Sequence, residues 1–228
     1  MTSQVTEAKG FIPGVTNIPL NVPTYGRAEI DEAIDSLDSG WVTMGKKVKR
    51  FEEMWAEYIG TKYAVMTNSG SSANLLALSC LGLQPGDEVI TPALTWATTV
   101  FPIAQVGAVP VLVDVDLDTY NINLEAAERA ITPKTRAILP VHLLGNPCDM
   151  VSLQHLANRY SLYLIEDACE AHGAETSSLP ALVGRYESKK TGGFGELATF
   201  SFFFSHHIST IEGGMVVTND RLWAEQCR

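Results

Sequence analysis

The sequence predicts an α/β protein built on a parallel sheet with helices over both faces. Three observations carry that expectation. Short apolar, β-prone runs keep returning after helix-periodic intervals, the rhythm of strand–helix–strand units. A β-prone run at 63–66 meets a small polar turn at 67–72 and then a strong helix. The 228 residues are 46% hydrophobic and 18% charged, which is ample for a large core and excludes general disorder.

Taken in order, residues 1–26 are punctuated by Gly10, Pro13, Gly14, Pro19, Pro23 and Gly26 and read as an N-terminal arm. Residues 27–228 form the remaining unit. A helix is predicted at 27–39 from the spacing of Ile30, Ile34 and Leu37, with Gly40 as its stop. Val48, Phe51, Met54, Trp55 and Tyr58 mark a second helix, ended by Gly60. After the turn at 67–72 comes a helix at 73–83. Strands are predicted at 88–91, 109–113, 137–141 and 162–165, with helices at 98–105, 123–130 and 153–160 between them. Residues 177–195 break the rhythm and read as a surface loop or short hairpin carrying Arg185, Lys189 and Lys190. A buried strand at 198–204 then leads through Ser205, His206 and His207 to Gly213 and Gly214, which turn the chain into a last strand at 215–218.

A net charge of -10 and a pI near 4.9 argue against nucleic acid or an anionic membrane as the main partner. Cys80, Cys148, Cys169 and Cys227 are scattered, with no CxxC pair and no zinc-like spacing, so no metal site is expected and a reducing cytoplasm fits. The uncharged stretch 89–113 is broken by Pro92, Pro102, Gly107 and Pro110 and does not read as a membrane span.

Polar groups at strand ends are where an α/β protein keeps its ligands. The turn around Ser69 reads either as an ordinary capped helix start or as free N–H groups aimed at an anion, and the GxxxxGK[ST] pattern of a nucleoside triphosphate site is absent. Asp167 and Glu170 follow the strand at 162–165 and face the same end of the sheet; an ionised Asp there would favour the protonated form of a nearby ring nitrogen. His142 follows another strand and either meets a ligand or ties down its loop. His172 could serve either purpose, and His155, inside a helix, reads as structural.

Five segments in succession resemble the sugar aminotransferase superfamily of DegT/DnrJ/EryC1/StrS type. They are Asn68-Ser-Gly-Ser-Ser-Ala73, Pro92-Ala-Leu-Thr-Trp-Ala97, Val141-His-Leu-Leu-Gly-Asn-Pro147, Glu166-Asp-Ala-Cys-Glu170 with Ala171-His-Gly173, and residues 198–218. The resemblance implies a fold-type I large domain with a mostly parallel seven-stranded sheet flanked by helices, a homodimer, and pyridoxal 5′-phosphate or pyridoxamine 5′-phosphate as cofactor. On that reading Gly70, Ser71 and Ser201 hold the phosphate, Trp96 stacks on the ring, Asp167 pairs with the ring nitrogen and Glu170 lies nearby. The family normally continues into a smaller C-terminal domain, so the expectation is an incomplete large domain with apolar surface left uncovered.

One position departs from the family's aminotransferases. Where they carry the lysine that anchors the cofactor, directly after Ser205, this chain has His206. That substitution resembles the pyridoxamine-phosphate-dependent 3-dehydratases of nucleotide-linked 4-keto-6-deoxyhexoses, enzymes of deoxysugar and lipopolysaccharide biosynthesis. There the histidine is a base, a role that suits a side chain titrating near neutrality. His207 is then a positioning neighbour, and His142 a substrate contact or a support. The segment 208–215 and Trp96 look more like the branch that needs no iron–sulfur cluster and renews its amine from glutamate, while Cys169 keeps the cluster-dependent branch open. Two other readings stay open as well: an aminotransferase using a lysine elsewhere, and a non-catalytic protein that keeps the fold for oligomerisation or regulation.

Overall fold

The computed structural model describes residues 12–15, 17, 22, 24–177 and 187–228. Most of the expected arm, and Arg185 in the expected loop, lie outside those residues. The described chain begins with α1 (Arg27–Asp38) and α2 (Lys46–Ile59), then β1 (Tyr63–Thr67), α3 (Gly70–Cys80), β2 (Glu88–Pro92), α4 (Ala97–Gln105) and β3 (Val109–Val113). It continues through α5 (Leu124–Arg129), β4 (Thr135–Ile138), a short 3-10 turn (Leu143–Gly145), α6 (Met150–Tyr160) and β5 (Tyr163–Asp167). The hairpin of β6 (Glu175–Ser177) and β7 (Ser188–Lys190) precedes β8 (Leu197–Ser201), β9 (Gly214–Thr218) and α7 (Arg221–Gln226).

Seven strands form one sheet in the order β1-β9-β8-β5-β4-β2-β3. Only β9 runs against the others: it is antiparallel to β1 and to β8, while every other pairing is parallel. The apolar runs show why both faces are covered. Neighbouring residues of one strand enter different cores, as the period of two requires. Val89, Ala137, Ile165 and Val216 join a core with Ala73, Ala77 and Leu78 of α3. Ile90, Ile138 and Leu164 point the other way, to Leu153 and Leu156 of α6. Ala64, Ala198, Met215 and Val217 meet Trp55 and Ile59 of α2 on that same second face.

Several boundaries differ from the sequence expectation, each for a local reason. α3 starts at Gly70 rather than 73 because Ser69 caps it, its hydroxyl accepting from the Ser72 N–H at 3.1 Å. Asp149 and Asn123 cap α6 and α5 in the same way. β8 ends at Ser201, and the chain folds over itself beyond it: Phe202 N–H donates to Gly213 O and Thr210 N–H to Phe202 O. α7, capped by Asp220, was not anticipated. The apolar stripe of α1 finds no cover within the described chain: none of its residues is buried, and Ile30, Ile34 and Leu37 are exposed. No helix among the described residues is long and apolar enough to cross a membrane.

Candidate active site

The carboxyl ends of β1, β5 and β8 converge on one cradle, and the sequence of each strand end decides what it offers. At the end of β1 the chain turns through Asn68 and Ser69 into the N-terminus of α3. The Ser69 cap satisfies Ser72, and Ala73 N–H donates to Ser69 O. Among the described residues nothing accepts from the N–H groups of Gly70 and Ser71, so both remain available at the positive end of a helix of 11 residues. Gly70 is required there by close approach. A Cβ on it would lie 2.6 Å from Ser201 Cβ and 3.0 Å from both Ser201 Oγ and Cys169 Sγ. Ser201, the last residue of β8, thus puts its hydroxyl against the same turn and also accepts from Phe203 N–H at 3.3 Å. Gly214, opposite Ser201 in the sheet, meets the turn from the other side: a Cβ there would stand 2.2 Å from Ser69 O.

Asp167 closes β5, buried and held in one orientation. Its Oδ2 accepts from Asn74 Nδ2 at 2.9 Å and from Thr99 Oγ1 at 2.8 Å, and its Oδ1 accepts from Cys169 N–H at 3.2 Å. Thr199 fixes Asn74 in turn, donating to its Oδ1 at 2.7 Å, and Thr95 pairs with Thr99 at 2.8 Å. Oδ2 is saturated, whereas Oδ1 keeps an accepting position for one further donor. No motif in the sequence marks Asn74, Thr95, Thr99 or Thr199 for a role. A polar Asn74 within the apolar run 73–78 of α3 is the one available sign. Trp96 stands at the N-cap of α4, its carbonyl accepting from the Thr99 N–H at 3.0 Å, so the turn that sends Thr99 to Asp167 also carries this indole. Its side chain is 77% exposed, a large aromatic face free to cover a flat ligand.

Glu170 lies one turn beyond Asp167 and accepts from Leu144 N–H at 2.7 Å, holding the 3-10 turn (Leu143–Gly145) in place. His142 is fully buried, and both its ring nitrogens are taken by protein: Nδ1 accepts from Cys148 N–H at 3.1 Å and Nε2 lies 3.1 Å from Glu166 Oε2. Glu166 is itself buried and accepts from the N–H groups of Gly192, Phe194 and Gly195 at 2.7–2.8 Å. His142 is therefore part of a brace between two loops, with no ring nitrogen left over for a ligand.

His206 follows β8 on the folded-over segment, its N–H donating to Phe203 O at 3.0 Å. The ring is half-buried beside Phe203 and His172, with centroids 6.4 and 6.0 Å away. Burial holds its pKa below the ordinary imidazole value, against an upward pull from Glu170; the neighbouring His207 adds to the lowering and Asp167 opposes it. His206 is thus held toward its uncharged form and lies within the field of both carboxylates of the cradle. His207 is exposed and touches only His172 among the described rings, at 5.7 Å. His172 packs on Trp55, Phe200 and Phe202, and neither of its ring nitrogens has a hydrogen-bond partner among the described residues. Burial, then the facing His206 and His207 rings, push its pKa down to about 4. Lys189 and Lys190 are engaged elsewhere: Lys189 Nζ lies over the Phe194 ring, and Lys190 lies 3.3 Å from Glu175 and over the Tyr58 ring. Among the described residues no group of three or more His, Cys, Asp or Glu side chains is set to hold a metal ion.

Comparison with known proteins places the chain in a family. A model of the DegT/DnrJ/EryC1/StrS aminotransferase family matches residues 23–228. The chain is 43% identical over 210 residues to a GDP-4-keto-6-deoxy-D-mannose 3-dehydratase of Yersinia pseudotuberculosis, aligning 90% of this chain with 51% of that protein. It is 42% identical over 204 residues to a GDP-perosamine synthase of Caulobacter vibrioides, covering 89% and 52% of the two chains. A solved Escherichia coli GDP-4-keto-6-deoxy-D-mannose-3-dehydratase with bound hydrated PLP superposes with a TM-score of 0.83 at 40% identity, over 92% of this chain and 53% of that one. The chain spans about half the length of the curated relatives it matches. With the family model matched over residues 23–228, this chain belongs to the DegT/DnrJ/EryC1/StrS aminotransferase family.

Proposed function

We propose that this chain binds pyridoxal or pyridoxamine phosphate and serves the C3 dehydration of a nucleotide-linked 4-keto-6-deoxyhexose, with His206 as the base. The single observation that carries the reading is His206 itself: a half-buried imidazole within the field of Glu170 and Asp167, at the position that the family resemblance equates with the anchoring lysine of the aminotransferases. The cradle fits the cofactor on its own terms. The free N–H groups of Gly70 and Ser71, with the Ser201 hydroxyl pressed against the same turn, suit a phosphate. The open accepting position on Asp167 suits a protonated ring nitrogen, and the exposed Trp96 indole suits a flat ring. When bound, such a cofactor supplies an amine for the sugar ketone and an electron-accepting ring.

The protein's own part is then positioning and proton transfer. Asn74 and Thr99 keep the Asp167 carboxylate aimed, so that its free accepting position would meet a ring-nitrogen N–H. Trp96 covers the site from solvent. The uncharged nitrogen of His206 accepts a proton from carbon and returns it to the C3 oxygen as that group departs. Glutamate as amine donor, a homodimer as the working unit and a cytoplasmic setting belong to the same reading.

Likeness to GDP-perosamine synthase motivates an aminotransferase as second reading. That reading needs a lysine near Asp167, and Lys189 and Lys190 are held by the Phe194 ring and by Glu175. Offering the purified chain pyridoxamine phosphate and a nucleotide 4-keto-6-deoxyhexose separates the two by product mass. Loss of the C3 oxygen is expected. A 4-amino sugar would establish the aminotransferase, and unchanged substrate from a chain that binds the cofactor would favour a non-catalytic role.

A further inference from the structure

Far from the cradle, at the other end of α3, two cysteines meet. Cys80 is the last residue of α3 and Cys227 is the C-cap of α7, and their sulfur atoms lie 3.4 Å apart although 147 positions separate them in sequence. Both are free thiols. We propose that Cys80 and Cys227 are a redox-modification site: a dithiol that a small-molecule disulfide converts into a covalent clip between α3 and α7.

The geometry favours closure. A disulfide needs the sulfurs about 1.4 Å nearer than they stand, a movement within reach of two side chains at helix ends, where the backbone is least constrained. Cys227 is buried against the α3 core with Ala77, Leu78 and Val216, so its sulfur is held facing Cys80 rather than solvent. Cys80 is only half-buried, which gives an external disulfide access to one member of the pair and not the other. The hydrogen bond between them divides their roles as well. It draws the Cys80 pKa below the ordinary thiol value while raising that of Cys227, so Cys80 carries the thiolate that attacks first. The other two cysteines lack such a partner: Cys148 is buried with its thiol donating to Val141 O at 3.2 Å, and Cys169 lies against Gly70.

The exchange balances in two steps. The Cys80 thiolate attacks one sulfur of the external disulfide, forming a mixed disulfide and releasing one thiolate, which takes up a proton. Cys227 then loses its proton and attacks the Cys80 sulfur, forming the protein disulfide and releasing the second thiol. Two protein thiols are oxidised and one external disulfide is reduced to two thiols. The product ties the C-terminal end of α3, whose N-terminal end forms the cradle, to the helix that follows β9.

The test uses the purified chain and oxidised glutathione as probe. After equilibration and quenching, intact mass should fall by two hydrogens per chain, and a non-reducing digest should contain a peptide joining Cys80 to Cys227. The melting temperature should rise by roughly 5 to 15 °C, as expected for a clip that closes a long loop, and dithiothreitol should reverse it. Cys80→Ser and Cys227→Ser should each abolish both the joined peptide and the thermal shift. A wild-type chain that stays fully reduced, retains a glutathione adduct on Cys80, or pairs Cys148 or Cys169 instead would overturn the proposal.

Discussion

At Gly70 three constraints fall on one atom position. The residue opens α3, presents an N–H to the cradle and lies against Ser201 and Cys169, so any side chain must displace strand β8 or the Cys169 sulfur. Gly70→Ala is expected to cost about 1–3 kcal/mol of stability and to weaken binding of pyridoxamine phosphate, both measurable by thermal unfolding with and without cofactor. His172 makes a different prediction. Its imidazole is held neutral down to a pKa of about 4, below the unfolded value near 6.5. Between those values the unfolded chain binds the proton and the folded chain does not, so stability falls as pH is lowered through 6.5 and the loss levels off below 4. The loss amounts to about 3 kcal/mol at most for this group. His172→Phe keeps a ring among Trp55, Phe200 and Phe202 and should flatten the acid side of a melting-temperature profile between pH 7 and 5. A profile as steep as that of the wild type would place the acid sensitivity elsewhere.

Among the elements, the brace around Glu166 shows how β5 fixes distant loops. One buried carboxylate accepts from the Gly192, Phe194 and Gly195 N–H groups and faces His142. Glu166→Gln turns an acceptor into a donor among donors and should cost about 3 kcal/mol or more, with faster amide exchange at Gly192 and Phe194 as its signature. Glu166 also marks the limit of what the sequence discloses. The strands β2 and β5 were legible because buried parallel strands are continuous apolar runs, the edge strand β3 because its run is apolar too, and the site candidates at 70, 71, 167, 170 and 201 followed from the ends of such strands and from family resemblance. The hydrogen-bond partners that orient Asp167 were not legible. Asn74, Thr99 and Thr199 come from three elements, and only the packing of α3 and α4 against β5 and β8 brings them together. His142 sat at a strand end like a ligand contact, yet its surroundings close on it from both sides, which no local spacing reveals.

Over the whole molecule the apolar surface is unevenly covered. The sheet is covered on both faces except along its edge strand β3, where Val109 and Leu112 are exposed, and Ile30, Ile34 and Leu37 of α1, with Trp41 and Val42 after it, are exposed as well. A group of large apolar side chains exposed this close together in sequence marks a surface that another surface covers. With a homodimer as the proposed working unit, light scattering at micromolar concentration should give twice the chain mass, and Leu37→Lys should shift it toward the monomer. A wild-type chain that is monomeric at that concentration would remove the dimer from the account.

The central claim is that an imidazole does at position 206 what a covalent lysine does not do there, and His206→Asn tests it most directly. Asparagine keeps much of the side chain's size and polarity while removing the base, and Gly70, Ser71, Asp167 and Ser201 are untouched. The variant should bind pyridoxamine phosphate as the wild type does, by fluorescence titration, and its release of a 3-deoxy product should fall by at least about a hundredfold. Cofactor binding retained together with dehydration within about tenfold of the wild-type rate would contradict the assignment of His206 as the base.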